Sequence, residues 1–381
     1  MYKVIYLIAG TYRSGGMERV LANKANWLVM HGVAEVMIVT TDQRGHRPFF
    51  VLDPKIRRVD LGINYEENNG GSFMNKLLRY PFKLLRHRRR LERLLMAERP
   101  DVTISMFCND AGFLPRIKDG SRKFIEIHFS RYKRLQYGRK GLWGVADRLR
   151  SRHDKRIVSR YEKFIVLTNE DRAYWEADSP VPNICVISNS RSFPPLRYDE
   201  ECHHTVLAVG RFCEQKALDR MIDAWDMVRQ SPASDGWRLR IVGDGELRSR
   251  LQRQINQLGL NDSVTLGRSE VDMISVYRNA DIYVMTSLYE GLPLVLLEAQ
   301  AAGLPIVSMT CKCGPRDIVT DGVDGLLVPE GDVDSVADAI LRLIGDDELR
   351  HSMSKAALKA SDRYAEEKIM EKWVELIREK Q

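Results

Sequence analysis

Residues 282–299 are IYVMTSLYEGLPLVLLEA. The apolar run Ile282–Met285 predicts a buried strand, and Pro293 suits the first turn of a helix that follows it. Glu290 then lies in the loop at the mouth of that helix, and Glu298 lies about one and a half turns inside it. A strand, a loop and a helix in this order are the repeating unit of a parallel α/β sheet, which binds ligands at the carboxyl ends of its strands.

The same alternation of short apolar strands and amphipathic helices runs through both halves of the chain. It predicts parallel sheets with helices on both faces. In the first half, strands are predicted at residues 4–9, 36–40, 102–106, 124–128, 163–167 and 184–187. In the second half, they are predicted at residues 205–210, 239–242, 264–266, 282–285 and 305–308. The fold class is therefore predicted to be α/β, with two Rossmann-like domains.

The length of 381 residues suits two domains of roughly 190 residues each. Residues 188–204 are mostly polar and contain two adjacent prolines, a composition typical of a linker. We predict a basic first domain over residues 1–187 and a second domain over residues 188–365. Residues 366–381 are predicted to form an amphipathic helix suited to packing back on the first domain.

The net charge of +7 is unevenly spread, because residues 1–187 carry +15 and the remaining residues carry −8. Nucleic acid is one partner that such charge allows, but no recognisable nucleic-acid-binding motif accompanies it, so we do not expect that partner. No stretch approaches the roughly 20 apolar residues of a membrane span, and the amino terminus is too weakly apolar for a secretory signal. The six cysteines lack zinc-site spacing. We expect a cytoplasmic protein that contacts the membrane only peripherally.

Two cations follow the first strand of the second half. Arg211 and Lys216 come directly after Gly210 and precede a helix. Two positioned cations stabilise the charge that develops on a leaving diphosphate without a metal ion. An equally open interpretation is that they are an ordinary surface arginine and lysine beside the start of a helix.

The helix after Glu290 offers further groups for a ligand. The backbone N–H groups of Gly291, Leu292 and Leu294 point toward the sheet edge, as N–H groups at helix amino termini do toward phosphate or sugar oxygens. The alternative is that Glu290 only caps the helix and that Glu298 lies on a solvated face. A glutamate in so apolar a run weakens that alternative.

Glycines mark two more loops. Gly243 and Gly245 bracket a turn after a strand, where glycine allows close approach to a ligand or simply a tight turn. The amino-terminal loop at residues 10–16 joins a strand to a helix, but it lacks the second glycine of the dinucleotide-binding fingerprint. Asp42 also lies later than the acid of that fingerprint. We therefore do not expect NAD binding.

These residues, in this order and spacing, resemble family 4 of the retaining glycosyltransferases, and the resemblance covers nearly the whole chain. It implies the GT-B fold, in which two Rossmann-like domains face each other across a cleft, and a UDP-sugar donor with no metal or other cofactor. The resemblance implies that Glu290 faces the transferred sugar and that Glu298 faces the donor ribose. It also implies that Arg211 and Lys216 hold the diphosphate. Ala217 departs from the family, where a glycine commonly follows the lysine.

The resemblance also implies site residues near the first domain. Gly15 and Gly16 face the diphosphate from the other side of the cleft, and Asn189 lies at the interdomain turn. His128 reaches the sugar, although a lone histidine at a strand end is more often structural. Residues 313–319 and 321–329 resemble a subgroup that uses UDP-galactose, UDP-GalNAc or UDP-GlcNAc in building bacterial surface glycans. The predicted catalytic residues are Glu290, His128, Arg211 and Lys216.

Basic residues recur at every third or fourth position of one segment, which predicts a stripe along a helix. They are Lys76, Arg79, Lys83, Arg86, Arg90 and Arg93. Pro81 is expected to kink or interrupt the helix. The stripe suits an anionic membrane surface or a glycan acceptor linked to polyisoprenyl diphosphate. A second basic run, residues 131–160, suits the same partners, with a solvated basic face as the alternative.

Two other functions remain open from the sequence. A phosphorylase or a sugar-nucleotide epimerase would share the architecture. A non-catalytic scaffold at the membrane surface would use the basic half alone, but it leaves the spacing of the two glutamates and two cations unexplained. The choice of sugar and acceptor depends on the pocket's shape and a few hydroxyl contacts.

Overall fold

Two units make up the computed structural model of this protein, which describes residues 1–68, 73–132, 142–196, 202–270 and 272–379. One unit comprises Met1–Ser188 together with Ile369–Gln381, and the other comprises Asn189–Lys368. The first unit is therefore built from two separate parts of the sequence.

The described part of the first unit holds a seven-stranded parallel sheet in the order β3-β2-β1-β4-β5-β6-β7. Its strands are β1 (Tyr2–Ile8), β2 (Ala34–Thr40), β3 (Arg57–Asp60), β4 (Val102–Ser105), β5 (Arg122–Glu126), β6 (Lys163–Val166) and β7 (Ile184–Val186). Its helices are α1 (Gly16–Met30), α2 (Phe73–Glu98), α3 (Leu142–Val158) and α4 (Asn169–Glu176). The carboxyl-terminal helix (Glu366–Arg378) joins this unit from Ile369 onward.

This sheet is buried on both faces, because alternate side chains of a strand point to opposite sides. Ile5 and Leu7 of β1 belong to one core, which also contains Leu91 of α2. Tyr6 belongs to a second core, which contains residues of α1 and Trp373 of the carboxyl-terminal helix. Strands buried in this way read as continuous apolar runs, which is why β1 was predictable.

The second unit contains a six-stranded parallel sheet in the order β10-β9-β8-β11-β12-β13 among its described residues. Its strands are β8 (Thr205–Val209), β9 (Arg238–Val242), β10 (Val264–Gly267), β11 (Ile282–Met285), β12 (Ile306–Met309) and β13 (Gly325–Val328). Its helices are α5 (Leu218–Arg229), α6 (Arg248–Gln257), α7 (Met273–Arg278), α8 (Leu294–Ala301), α9 (Pro315–Ile318), α10 (Val333–Gly345) and α11 (Asp347–Ala360). The predicted α/β class with two Rossmann-like domains is confirmed.

The elements that the apolar pattern missed include highly charged ones. β3 has the sequence RRVD and lies at the edge of its sheet, where charged residues discourage pairing with other chains. α3 carries so many basic residues that its few apolar positions gave no clear period. α2 continues through Pro81, which we expected to kink or interrupt it. Within the described ranges, no helix is long and apolar enough to cross a bilayer.

Candidate active site

The strand order places a topological switch point near the middle of each sheet. In the second unit, β9 and β10 lie on one side of β8, and β11 lies on the other. The loops that follow β8 and β11 therefore begin at the carboxyl edge where open α/β sheets bind their ligands. These loops are residues 210–217 and 286–293, and they carry the predicted residues Arg211, Lys216 and Glu290.

Side-chain and backbone contacts hold these two loops together. Nζ of Lys216 lies 2.7 Å from Oε1 of Glu290. The side-chain amide of Gln215 donates to the carbonyl oxygen of Tyr289 at 2.9 Å, and the hydroxyl of Thr286 donates to the carbonyl oxygen of Lys216 at 3.2 Å. The structure thus brings together a lysine and a glutamate that lie 74 residues apart in the chain.

The ion pair between Lys216 and Glu290 is largely shielded from solvent, since only 8% of Glu290 is exposed. Partial burial strengthens the attraction between the charges, and removing one partner leaves the other uncompensated. The ammonium group has three N–H donors, so it can bind an anionic ligand beside Glu290. Gly210 makes room for the lysine, because a Cβ atom there would lie 3.2 Å from Cε of Lys216.

Arg211 and Ala217 lie in the same loop as Lys216. Arg211 is exposed, and its guanidinium forms no ion pair with any residue in the described ranges. Ala217 has φ of 44° and ψ of 45°, in the left-handed region. That conformation costs an L residue roughly 1–2 kcal/mol and is easily adopted by glycine. The backbone thus follows a path suited to glycine, although this chain has alanine there.

Glu298 lies in α8 and is only 5% exposed. Its Oε1 accepts a hydrogen bond from the hydroxyl of Ser192 at 2.5 Å, and its Oε2 accepts one from the hydroxyl of Tyr277 at 2.8 Å. An ionised carboxylate only accepts hydrogen bonds, so both hydroxyls orient it. No pattern in the sequence pointed to Ser192, which lies in the predicted linker, or to Tyr277 in α7.

A third loop, which follows β12, packs against the mouth of α8. The N–H of Glu290 donates to the carbonyl oxygen of Lys312 at 3.4 Å. Gly314 has φ of 102°, and a Cβ atom there would lie 2.3 Å from Cδ of Pro293. Only glycine fits this close approach, so the loop fixes the backbone beside the glutamate. In the sequence, this stretch showed only the subgroup resemblance.

Two other predicted donor residues of this unit lie at the mouth of α8. The helix begins at Leu294 after its N-cap Pro293, so Gly291 and Leu292 lie in the loop before it, and the first N–H groups of the helix have no intrahelical acceptor. Asn189, at the start of the unit, is 5% exposed.

Gly243 and Gly245 have a packing role in the structure. A Cβ atom would lie 1.9 Å from the carbonyl oxygen of Gly210 at the first position, and 2.4 Å from that of Phe212 at the second. The N–H of Phe212 donates to the carbonyl oxygen of Asp244 at 2.9 Å. These glycines therefore let the loop after β9 lie directly against the loop that carries Arg211 and Lys216.

Gly15 and Gly16 lie at the switch point of the first sheet, between β1 and β4. Gly15 immediately precedes α1, and its carbonyl oxygen accepts a hydrogen bond from the N–H of Arg19 at 3.1 Å. A Cβ atom at Gly15 would lie 2.2 Å from Oε2 of Glu18. The pair thus occupies the tight entrance to the first helix.

His128 follows β5 and lies beside a buried charged pair. Its Nε2 is 3.1 Å from Oε1 of Glu126, without the alignment of a hydrogen bond. Nζ of Lys24 is 2.5 Å from Oε2 of Glu126, and it lies 4.2 Å from the ring centroid of Trp373. Burial would raise the pKa of Glu126, but the charges of Lys24 and His128 lower it to about 2.

Neither Lys24 nor Glu126 was among the predicted site residues. A signal for the lysine was present, because Leu21, Lys24, Ala25 and Leu28 follow the spacing of a helix's buried face. A lysine at such a position is rarely buried without a partner. Within the described ranges, no group of three or more histidine, cysteine or acidic side chains is arranged to hold a metal ion.

The predicted basic stripe does not form one free surface. The side chain of Lys83 donates to the backbone carbonyl oxygen of Asn64, and that of Arg90 donates to the carbonyl oxygen of Leu61. Both cations therefore form hydrogen bonds within the protein. The reason is that the loop after β3 runs beside α2 and its partly buried carbonyl groups accept these hydrogen bonds. The side chain of Lys76 and residues 133–141 of the second basic run lie outside the described part. The exposed members of the stripe are Arg79, Arg86 and Arg93.

Two family models match this chain. Residues 14–190 match Glycosyltransferase Family 4, and residues 199–360 match Glycosyl transferases group 1. The first match lies mainly in the first unit and the second match lies within the second unit. Together they account for most of the sequence.

Curated relatives include glycosyltransferases of bacterial glycan assembly. The amylovoran biosynthesis glycosyltransferase AmsD of Erwinia amylovora is 33% identical over 57% of this chain and 62% of AmsD, so this chain spans less than two thirds of that relative. A Campylobacter jejuni protein is 25% identical over 100% of this chain and 99% of its own length. Its name describes an α-1,4-N-acetyl-D-galactosaminyltransferase for a glycan on diNAcBac-PP-undecaprenol.

Among solved structures, a variant of TarM from S. aureus in complex with fondaparinux, α-GlcNAc-glycerol and UDP has a similar fold. The TM-score is 0.80 at 17% identity, and the match covers 100% of both chains. At this identity the likeness concerns the fold alone. The chain therefore belongs to the glycosyltransferases that join a family 4 domain to a group 1 domain, and its two units have the GT-B fold.

Proposed function

We propose that this chain is a retaining glycosyltransferase that moves a hexose or an N-acetylhexosamine from a UDP-sugar to an acceptor during assembly of a bacterial surface glycan. The observation that carries the proposal is the ion pair between Lys216 and Glu290 at the switch point of the second sheet. A cation for a diphosphate and a carboxylate for a sugar then lie side by side at the edge where such sheets bind ligands. The names of AmsD and the Campylobacter relative describe related reactions.

In this proposal, Lys216 and Arg211 bind the donor's diphosphate. Their positive charges stabilise the negative charge that grows on UDP as it leaves, so no metal ion is needed. Glu298, which the hydroxyls of Ser192 and Tyr277 orient, binds the ribose hydroxyls. The complex of TarM with UDP supports the choice of nucleotide.

Retention follows when the acceptor hydroxyl attacks the anomeric carbon from the face that UDP leaves. The bond between the anomeric carbon and the phosphate oxygen breaks, the bond to the acceptor oxygen forms, and the acceptor proton passes to the departing phosphate. Glu290 positions the sugar and stabilises the positive charge that develops on its ring. His128 forms a hydrogen bond to a sugar hydroxyl, and the enzyme forms no covalent intermediate.

The acceptor in this proposal is a glycan linked to a polyisoprenyl diphosphate at the cytoplasmic surface of the membrane. The net charge of +15 on residues 1–187 supports it, because anionic lipids and diphosphates attract a basic surface. The Campylobacter relative's name also includes an acceptor of this chemical class. Contact with the membrane is peripheral.

The test measures UDP release and product formation with UDP-GalNAc, UDP-GlcNAc, UDP-galactose, UDP-glucose and GDP-mannose, using lipid-linked glycan acceptors in detergent. We expect transfer from one UDP-sugar, an unchanged anomeric configuration by NMR, and the same rate in EDTA. Lys216→Met and Glu290→Gln should lose transfer, whereas Arg253→Ala, on the exposed side of α6, should keep it.

Other outcomes identify the rival functions. Wild-type rates in both site variants would refute the assignment. Phosphate-dependent turnover would indicate a phosphorylase, and conversion of a UDP-sugar without any acceptor would indicate an epimerase. A protein that binds no nucleotide sugar at all would instead be the non-catalytic scaffold.

A further inference from the structure

A cavity of about 1000 Å³ lies at the carboxyl edge of the first sheet. It is bounded by Ala9 after β1, by Phe107 after β4, by Phe129 after β5, and by side chains of α2 and α3. The cavity therefore lies at the switch point of the first sheet, where an open α/β sheet binds a ligand. The residues that line the cavity are different from those that hold Lys216 and Glu290 in place.

Three arginines from three different elements line this cavity. Arg88 comes from α2, Arg116 ends a short 3₁₀ helix, and Arg160 follows α3. None of the three forms an ion pair with a residue in the described ranges. The acidic residue of the lining is Asp154, whose charge acts on the buried guanidinium of Arg131. The cavity thus has an excess of positive charge that an anionic ligand would neutralise.

The same cavity has a large apolar lining. Leu84, Phe113 and Ile157 contribute to it from three sides. The rings of Phe107 and Phe129 meet edge to face with centroids 5.4 Å apart. Phe107 has φ of 54°, which is a strained conformation for a residue with a side chain and often marks a ligand site.

Apolar side chains continue from the cavity onto the surface of α2. Leu85, which belongs to the lining, is 46% exposed, and Phe82, one turn earlier, is 75% exposed. A nucleotide or a free sugar would gain little from this surface. A molecule with a hydrocarbon chain would bury it along the helix.

We propose that this cavity binds the lipid end of the acceptor, with the diphosphate on Arg88, Arg116 and Arg160 and the first isoprene units on the apolar lining. The inference rests on the proposed function and names the part of the acceptor that the first unit recognises. Guanidinium groups suit this role because they pair with phosphate oxygens through two parallel hydrogen bonds. The predicted stripe on α2 included none of these three arginines.

The test uses the full chain and farnesyl diphosphate, below its aggregation concentration, as the probe in isothermal titration calorimetry. Saturating UDP is present so that the donor site is blocked. We expect farnesyl diphosphate to bind at least tenfold more tightly than inorganic diphosphate or farnesol. The paired variant Arg88→Gln/Arg160→Gln should weaken its binding at least tenfold.

The matched control is Arg86→Gln/Arg93→Gln, which removes the same charge from exposed positions on α2. It should change the affinity less than twofold. Equal binding of inorganic and farnesyl diphosphate, or equal losses in both paired variants, would overturn the proposal in favour of a general charge effect.

The outcomes separate this inference from the proposed function. If the Arg88→Gln/Arg160→Gln variant transfers sugar to the lipid-linked acceptor with an unchanged KM, the cavity proposal is wrong and the transferase assignment stands. If the chain binds farnesyl diphosphate as expected but transfers no sugar from any nucleotide donor, the transferase assignment fails and the lipid site stands.

Discussion

The two switch points of this protein hold their charges in opposite ways. In the second unit, Lys216 is paired with Glu290 and fixed by contacts between two loops. In the first unit, Arg88, Arg116 and Arg160 surround an apolar cavity and have no ion-pair partner in the described ranges. Paired, fixed charges suit a polar ligand whose reacting atoms need precise placement. Unpaired cations beside apolar surface suit an amphiphile that supplies its own counter-charge.

The largest effect is expected at the fixed pair. Lys216→Met and Glu290→Gln should each lower kcat/KM about 10²- to 10³-fold, since a group that stabilises transition-state charge typically contributes that much. Lys216→Met should also lower stability, because it leaves the carboxylate of Glu290 uncompensated.

The double variant separates the two roles of that pair. Lys216→Met/Glu290→Gln removes both charges, so thermal unfolding should return toward the wild-type midpoint while transfer stays lost. If transfer returned along with stability, the pair would be only structural and the comparison between the two switch points would fail.

The next effect concerns the buried pair beneath His128. Lys24→Met should destabilise the protein by about 3 kcal/mol, because it leaves Glu126 charged and buried without its partner. Lys24→Met/Glu126→Gln should recover most of that loss. Urea unfolding at pH 7 measures both changes.

The same pair predicts a dependence on pH. The pKa of Glu126 is lowered to about 2 in the folded state, so its stabilising contribution is complete above the unfolded value of about 4.3. The contribution is lost as the pH falls from there toward 2. Between pH 5 and pH 3 the wild type should therefore lose more stability than the double variant; equal losses would show that the pair is not ionised.

A smaller kinetic effect should distinguish the cavity at the first sheet from the donor site at the second sheet. Arg88→Gln/Arg160→Gln should raise the KM for the lipid-linked acceptor about tenfold, which corresponds to about 1.4 kcal/mol, and leave the KM for the UDP-sugar unchanged. Initial rates with each substrate varied in turn measure this. A rise in the donor KM of the same size would mean that the cavity and the donor site are not separate.

The smallest effect concerns the left-handed residue beside Lys216. Ala217→Gly should stabilise the protein by about 0.5 kcal/mol, because relief of backbone strain outweighs the extra freedom of the unfolded chain. The unfolding midpoint should rise by about 1–2 °C. Ala173→Gly, at an exposed position in α4, should do the reverse. A loss of stability in both variants would show that Ala217 is not strained.

The sequence predicted the charged residues at the carboxyl edge of the second sheet better than those at the carboxyl edge of the first sheet, for physical reasons. Glu290 and Lys216 lie in loops directly after buried strands, and apolar runs reveal such strands. Arg88 and Arg160 lie in or beside highly charged helices, where many arginines share the same composition and only the packing selects which ones face the cavity. The hydrogen bonds of Lys83 and Arg90 depend on which loop lies next to α2, and no spacing rule encodes that.

The carboxyl-terminal helix has a consequence for how the chain folds during synthesis. Trp373 covers the ammonium group of Lys24, and Arg122 donates to the carbonyl oxygens of Leu376 and Ile377. The first unit therefore lacks part of its core until the ribosome has made the whole of the second unit. A nascent chain that stops at residue 188 exposes the apolar surface that this helix covers and the ammonium group of Lys24. The second unit is contiguous in sequence, so its core does not wait for a distant segment of the chain.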